Sequence, residues 1–276
     1  MLYNRQGNDR KEKLRQVFED TEKCYLKDET LKNAIKESIK ATKIYKENHD
    51  FQSFHKKYEK TIISVNKFKS LETGVFYHKK NPDSRIGILN FASATHPGGG
   101  VREGSSAQEE SLCRCTTLFP VLDTEKNRKE FYEFHRKRHD QRYTDAAIYT
   151  PNIVAFKTDD AIPSLLPPNK WDSFDFISCA APNLRTLHIK DAELLKLHEQ
   201  RARQILHVAS ENEVDILVLG AFGCGAFQND PETVAEAYKK VLKEFDGGFR
   251  EITFAVYTTP RDRRNFDAFS KILLAG

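Results

Sequence analysis

Short apolar runs that alternate with helical patterns constrain the fold of this chain most. Five such runs follow residue 85, at 86–94, 146–156, 174–182, 214–223 and 251–258. Between them the spacing of apolar residues predicts helices over about 106–119, 124–141, 190–210, 231–245 and 261–274. Strands alternating with helices predict an α/β fold of three layers, in which a mixed, largely parallel sheet lies between helices. Runs such as DILVLGA are apolar at successive positions, so both faces of the sheet should be covered.

The first 60 residues are predicted to form a helical extension packed on the main domain. Two apolar stripes, one starting at Leu14 and the other at Leu31, recur at three- and four-residue steps. No proline interrupts them before Pro82. The main domain is then expected to comprise residues 61–276, with a first strand at 61–68.

Charge and composition exclude several classes of partner. The net charge is +4, from 44 basic and 40 acidic residues, so no direct nucleic-acid binding is expected. The charge-dense segment 124–142 could contact nucleic acid or an anionic polymer, but a solvated helix face is the preferred interpretation. No apolar run approaches the ~20 residues of a membrane span, and the N-terminus lacks the pattern of a signal peptide. We therefore expect no membrane partner and a cytoplasmic location.

The five cysteines predict reduced thiols and no metal site. An odd number of cysteines without a paired framework is typical of a reducing compartment. Cys113 and Cys115 could begin a metal site, yet no second Cys/His pair lies at zinc spacing. We expect the protein to use neither a metal nor a cofactor.

Two glycine-rich loops mark a candidate binding site. Gly98–Gly100 and Gly104 form the first, while Gly220, Gly223 and Gly225 form the second, so seven of thirteen glycines lie in two short stretches. Each loop follows an apolar strand and precedes a helix, where exposed N–H groups can bind phosphate oxygens. Tight turns also require glycine. Two such loops at one edge of a sheet, however, predict a cleft suited to a diphosphate.

The glycine spacing argues against the common nucleotide-binding enzymes. Neither loop contains the third glycine of the dinucleotide fingerprint, and no GK[ST] phosphate loop is present. The second loop instead leads into a helix for which Asp230 is a suitable N-cap and Pro231 a suitable first residue. A nucleotide-dependent oxidoreductase or a phosphoryl-transfer enzyme is therefore disfavoured.

Gln108-Glu109-Glu110 can be interpreted in two ways. The structural interpretation is a helix start, because Ser106 and Glu109 have the spacing of a capping box, as do Ser105 and Gln108. Successive helical residues, however, differ in direction by roughly 100°. If Glu109 turns back to the cap, Glu110 must project elsewhere, towards the preceding loop.

The chemical interpretation assigns acid–base chemistry to these carboxyl groups. A carboxyl group close to another carboxyl, beside partly dehydrated backbone, should have a raised pKa and could act as an acid at neutral pH. Cleavage of a glycosidic bond needs a carboxyl that serves first as acid and then as base. We therefore expect a diphosphate to position a substrate beside Glu110.

Together these motifs resemble the signature of poly(ADP-ribose) glycohydrolases, in particular their compact bacterial-type branch. The similar segments are LNFASATHPGGG (89–100), AQEESLCR (107–114), LGAFGCGAFQNDP (219–231) and, more weakly, FAVYTTPRDRRNFDAF (254–269). The resemblance extends over roughly residues 60 to 275. It implies a macrodomain-like fold and hydrolysis of the ribose–ribose bond in poly(ADP-ribose), mainly from chain ends. The implied partners are the polymer or an ADP-ribosylated protein, with ADP-ribose as the product.

The resemblance also implies roles for individual residues. Glu110 would be the catalytic acid and base, Glu109 would hold ribose hydroxyls, and Gln108 would order the loop and contact the ligand. The remaining substrate-binding candidates are Asn90, Ser93, Gly99, Gly100, Ala221, Phe222, Gly223, Cys224, Gly225, Ala226 and Phe227. Of these, residues 221–226 would form the diphosphate loop, Gly99 and Gly100 would let the backbone approach the distal ribose and the phosphates, and Phe227 would pack over that ribose. The Cys224 side chain is expected to pack rather than to react.

One departure and two alternatives accompany the resemblance. Animal members carry aspartate where this chain has Asn90, a difference expected within the bacterial branch. A non-catalytic ADP-ribose-binding macrodomain is one alternative, although such a reader has no need of a carboxyl pair. Hydrolysis of another ADP-ribose linkage is the second, because the diphosphate loop would serve it equally well.

Overall fold

The computed structural model describes residues 2–51, 54–260 and 262–275, with side chains from residue 9 onward. The helices of these residues are α1 (Leu2–Lys27), α2 (Glu29–Ala41), α3 (Ser70–Lys80), α4 (Gln108–Cys115), α5 (Leu118–Leu122), α6 (Glu125–Asn127), α7 (Phe134–Arg138), α8 (Asp191–Glu211), α9 (Pro231–Leu242) and α10 (Arg264–Leu274). The strands are β1 (Lys43–Tyr45), β2 (Ile62–Asn66), β3 (Ile86–Phe91), β4 (Ala147–Ala155), β5 (Asp172–Cys179), β6 (Ile216–Gly220) and β7 (Glu251–Ala255).

The seven strands described here form one mixed sheet in the order β1-β4-β5-β3-β6-β7-β2. Strands β5, β3, β6, β7 and β2 are mutually parallel, whereas β4 pairs antiparallel with β5 and with β1. The carboxyl ends of the five parallel strands therefore meet at one edge. The predicted mixed, largely parallel sheet is confirmed.

Two apolar cores cover the two faces of the sheet, as the apolar strands predict. One core packs α8, α9 and α10 against the sheet through residues such as Ile205, Tyr238 and Phe269. The other core contains Leu71 of α3 and Leu112 of α4. Helices lie on both faces, which confirms the three-layer α/β/α architecture.

The N-terminal stripe packs as the spacing predicts, but the region is not entirely helical. Leu14, Phe18 and Tyr25 of α1 are buried. Residues 43–45 are a strand rather than helix, and this strand pairs with β4. A three-residue strand is too short for its alternation to be distinguished in sequence, and its position is decided by the buried Tyr45, whose hydroxyl donates to Glu211. The division of the chain at residue 60 stays a prediction.

Two predicted helices are interrupted, and one helix was missed. The segment 106–119 breaks at Thr116, whose backbone pairs with Ala155 of the sheet. In 124–141, a π-helical segment at Arg128–Glu133 separates α6 from α7. Helix α3 was not predicted at all. Among the described residues, no helix has the length and apolarity needed to cross a membrane.

Candidate active site

A cavity of about 850 Å³ lies where the parallel strands end, and both glycine-rich loops line it. The loop after β3 contributes Gly99 and Gly100, and the loop after β6 contributes Gly223 and Gly225. The two loops follow adjacent parallel strands, so they meet at one edge of the sheet. The predicted convergence of the loops is confirmed.

Glu109 does not cap its helix, contrary to the structural interpretation of the sequence. Helix α4 has Ala107 as its N-cap and no side-chain cap, so neither proposed capping box forms. The carboxyl group of Glu109 turns instead to the end of β3. Its Oε1 accepts from Asn90 Nδ2 at 3.2 Å, and its Oε2 accepts from the Ser93 N–H at 2.7 Å. Tertiary donors therefore replace the local cap.

Glu110 projects towards the preceding loop, as the helical geometry predicts. Its Oε1 accepts a hydrogen bond of 3.0 Å from the backbone N–H of Gly100. Its Oε2 is buried and has no hydrogen-bond partner among the described residues. Since a buried polar oxygen is normally bonded, Oε2 is available to bind a ligand hydroxyl.

Gly99 holds the backbone close to both carboxyl groups. Its φ is +57°, in the left-handed region that glycine favours. A Cβ at this position would lie 2.5 Å from Glu110 Oε1 and 3.2 Å from Glu109 Oε2. No side chain fits there without displacing Glu110, which explains glycine at the second position of the triplet.

The structure raises the pKa of Glu109, whereas the sequence argument expected a raised pKa at the carboxyl that acts as the acid, Glu110. Burial is the main cause and raises the pKa of Glu109 from 4.5 to about 8. The Ser93 N–H opposes the shift, and the neighbouring charge of Glu110 adds to it. At neutral pH Glu109 is therefore mainly protonated, which reduces repulsion within the pair.

Gln108 fastens α4 to the end of β3. Its Oε1 accepts from the Phe91 N–H at 2.9 Å, while its Nε2 donates to Leu89 O at 2.8 Å and Ser70 Oγ at 3.1 Å. Gln108 also lines the cavity. The structure therefore supports the ordering role expected for it, and contact with a ligand stays a prediction.

The loop after β6 presents unpaired backbone N–H groups. The N–H groups of Gly223, Gly225, Ala226 and Phe227 have no acceptor among the described residues, and all four residues line the cavity. The next helix, α9, begins as predicted, with Asp230 as N-cap accepting from the Thr233 N–H. A strand–loop–helix unit of this kind can bind phosphate oxygens without a cation.

Several predicted residues lie at the cavity, and others lie behind it. The predicted residues that line it are Ser93, Gly99, Gly100, Gln108, Glu109, Glu110, Ala221, Phe222, Gly223, Gly225, Ala226 and Phe227. Asn90 and Cys224 do not. Asn90 is fully buried and supports Glu109, and Cys224 packs against the core. The Phe222 side chain, 1% exposed, packs beside Phe91.

Sequence reasoning missed residues that reach the cavity from distant elements. Arg10 and Leu14 of α1, Lys69 before α3 and Tyr257 after β7 all line it. It also missed His198, whose Nε2 lies 2.9 Å from Asn229 Oδ1 behind the second loop. In the sequence, only the segment FQND (227–230) before α9 could have drawn attention to Asn229. Among the described residues, no group of three His, Cys, Asp or Glu side chains could hold a metal ion.

Known proteins resemble this chain in sequence and in structure. The chain matches the family of the microbial-type PARG catalytic domain over residues 15–158. A crystal structure of poly(ADP-ribose) glycohydrolase from Thermomonospora curvata has a TM-score of 0.84 and 28% identity, covering 94% of this chain and 98% of that one. The Deinococcus radiodurans enzyme in complex with ADP-ribose has a TM-score of 0.73 and 31% identity, covering 87% and 97%. Among curated protein sequences, none matches significantly.

The T. curvata enzyme has also been solved with the inhibitor ADP-HPD, at a TM-score of 0.81 and 28% identity, with 94% of this chain and 98% of that one covered. The family match spans more than half of this chain, and the structural matches span nearly all of it. The carboxyl pair beside a glycine-rich loop and the macrodomain-like sheet agree with these matches. This chain belongs to the microbial-type poly(ADP-ribose) glycohydrolase family.

Proposed function

We propose that this protein hydrolyses the ribose–ribose glycosidic bonds of poly(ADP-ribose) and releases ADP-ribose. The observation that carries the proposal is the Glu110 carboxyl, held by the Gly100 N–H through one oxygen and unpartnered at the other. It lines the same cavity as the unpaired N–H groups after β6. The related enzymes crystallised with ADP-ribose and with ADP-HPD support a ligand of this class.

Glu110 acts as acid and then as base in this mechanism. In its protonated form it gives its proton to the ribose oxygen that leaves, and the resulting carboxylate takes a proton from the water that attacks the anomeric carbon, which restores the acid. Glu109, which Asn90 and Ser93 hold, contacts the ribose hydroxyls and orients the bond. A carboxyl oxygen can accept more than one hydrogen bond, so these contacts are compatible with those from the protein.

The backbone of the loop after β6 binds the diphosphate. Gly223, Gly225 and Ala226, whose N–H groups have no acceptor among the described residues, line the cavity, and Gly99 and Gly100 let the opposite backbone approach. Phe227, half-buried at the cavity, packs over the distal ribose.

Cleavage proceeds mainly from chain ends, because α1 lies at the cavity and restricts how the polymer enters it. Arg10 and Leu14 of α1 line the cavity. The Lys11 carbonyl oxygen lies so near Gly104 that a Cβ there would be 2.1 Å from it. Arg102 pairs with Glu22 of α1 at 2.8 Å. The polymer or an ADP-ribosylated protein is thus engaged at an end.

The protein is located in the cytoplasm in this proposal. The five free cysteines support this location, because thiols stay reduced in that compartment.

Incubation with purified poly(ADP-ribose) tests the proposal. Chromatography should detect free ADP-ribose, and the Glu110→Gln variant should bind ADP-ribose in calorimetry without releasing it from polymer. Release of ADP-ribose from mono-ADP-ribosylated protein but not from polymer would instead identify a different linkage. Binding by the wild-type protein without any product would identify a non-catalytic reader.

A further inference from the structure

The side chain of Asn229 lies inside the loop that follows β6. It is 2% exposed. Its Nδ2 donates to Pro182 O at 2.8 Å and to Gly223 O at 3.1 Å. Carbonyl oxygens only accept hydrogen bonds, so these contacts fix which end of the amide faces the loop. The backbone N–H of Asn229 donates to the same Gly223 oxygen at 3.1 Å.

His198 of α8 fixes the opposite end of that amide. Its Nε2 lies 2.9 Å from Asn229 Oδ1. Because Oδ1 accepts, Nε2 must carry the hydrogen. Burial lowers the pKa of His198 to about 4, so the ring is neutral at physiological pH. Its Nδ1 has no partner among the described residues, which leaves donation to Asn229 as the polar contact that orients the ring.

This pair of side chains connects three elements that the sequence separates. His198 comes from α8, Asn229 from the residue before the N-cap of α9, and Pro182 from the segment after β5. The N–H of Leu184, in the same segment, donates to Phe227 O at 3.0 Å. The Phe227 carbonyl is therefore held from outside the loop, and the Gly223 carbonyl is held by Asn229 at the end of the loop.

The Asn229 side chain also occupies the space that shapes the turn. Gly223 has a φ of +79°, and a Cβ on it would lie 2.7 Å from Asn229 Nδ2. The loop is therefore wrapped around a buried amide whose orientation a histidine sets. A buried amide that is hydrogen-bonded at both ends favours one conformation over others.

We propose that His198 and Asn229 are positioning residues that hold the loop after β6 in the conformation whose free N–H groups bind the diphosphate. The inference rests on the proposed function, because the diphosphate is that of ADP-ribose. Neither residue lines the cavity. Their effect on the ligand is therefore transmitted through the loop backbone.

Four variants separate this role from a general contribution to folding. Asn229→Asp keeps the shape but turns an acceptor towards two carbonyls, and His198→Phe removes the donor. His198→Gln retains an N–H donor at about the position of Nε2 and is the conservative rescue. The matched control is Asn212→Asp, which makes the same change at the buried C-cap of α8, where the Asn212 amide donates to Tyr45 OH and Val208 O.

Calorimetry with ADP-ribose and steady-state kinetics on the polymer provide the readouts. Asn229→Asp and His198→Phe should raise the Kd for ADP-ribose, and KM, by roughly tenfold or more, with kcat changed less than threefold. His198→Gln should change Kd less than threefold. Asn212→Asp should lower the melting temperature without changing Kd.

Two results would overturn the inference. One is an unchanged Kd in His198→Phe or in Asn229→Asp protein that melts cooperatively. The other is an equal loss of kcat and of affinity for ADP-ribose in His198→Phe, together with the same loss in His198→Gln. Should Asn229→Asp fail to fold, the comparison of His198→Phe with His198→Gln decides the outcome. Wild-type cleavage of polymer is measured separately, so a failure of the proposed function is distinguishable from a failure of this inference.

Discussion

The backbone N–H of Gly100 donates a hydrogen bond of 3.0 Å to Glu110 Oε1, ten residues further along the chain. This contact brings the start of α4 against the glycine loop and fixes one oxygen of the carboxyl group. The other oxygen, Oε2, is buried without a partner among the described residues. A carboxyl with one oxygen anchored and one free can transfer a proton without rotating away from the substrate.

We expect Glu110→Gln to slow turnover strongly while preserving binding. The amide keeps the size of the side chain and can still accept from Gly100, but it cannot give and take a proton. Loss of general acid–base catalysis should lower kcat by roughly 10²- to 10⁴-fold, measured as release of ADP-ribose from polymer. Glu103→Gln is the control, since Glu103 is an exposed carboxylate at the same cavity. Activity of Glu110→Gln within tenfold of wild type would remove Glu110 from the mechanism.

We expect Gly99→Ala to impair both stability and activity. The methyl group would meet Glu110 Oε1 at 2.5 Å, and the φ of +57° is unfavourable for alanine. The backbone strain should lower the free energy of unfolding by about 1–3 kcal/mol. Displacement of the carboxyl by about 1 Å should lower kcat by roughly 100-fold.

Gly225→Ala is the stability control for that experiment. A Cβ at Gly225 would have no atom within 4 Å, so urea unfolding should be nearly unchanged. Equal stability of Gly99→Ala and wild type would contradict the close approach of the two carboxyl groups to Gly99.

Titration of Glu109 should lower the free energy of unfolding as pH rises from about 4.5 to about 8. The folded-state pKa of Glu109 is about 8 against 4.5 for the ordinary group. Between these values the unfolded chain has lost the proton that the folded protein keeps, so the free energy of unfolding decreases with pH. The limiting slope is about 1.4 kcal/mol per pH unit.

Urea unfolding at several pH values measures this effect in wild type and in Glu109→Gln. The variant cannot titrate at this position, so its slope between pH 5 and pH 8 should be less negative than that of wild type. Identical slopes would show that Glu109 does not bind an extra proton in the folded state. The comparison uses slopes, because the amide also changes the hydrogen bonds with Asn90 and Ser93.

We expect Gln108→Glu to destabilise the protein despite its nearly identical shape. A carboxylate oxygen would face Leu89 O, to which Gln108 Nε2 now donates at 2.8 Å. Loss of this buried donor should lower the free energy of unfolding by about 1–3 kcal/mol. Gln141→Glu makes the same change at an exposed site and should have little effect in the same urea titration. An unchanged midpoint for Gln108→Glu would refute the fastening role.

Much of the architecture could be predicted from local pattern. Parallel strands follow from apolar runs alternating with helical spacing, and the meeting of the two glycine loops follows from that topology. The direction of Glu110 follows from the rotation between consecutive helical residues. The start of α9 follows from Asp230 and Pro231, because a cap and a proline act within one turn.

The partners of the site residues could not be predicted in this way. The spacing of Ser106 and Glu109 fits a capping box, but the donors that bind Glu109 come from β3 and the residues just after it. Strand β1 and the reach of α1 into the cavity likewise depend on packing against distant residues. Local propensity is weak compared with a buried hydrogen bond, so the tertiary contact prevails.

The sequence by itself determined the order of the elements, the edge at which the two loops lie and the side of α4 on which Glu110 projects, because periodicity and turn chemistry act over a few residues. Only the tertiary structure decided that burial raises the pKa of Glu109, and that His198 lies against Asn229 across 31 residues of chain. Burial and long-range hydrogen bonding depend on what surrounds a side chain in space, which no local pattern encodes.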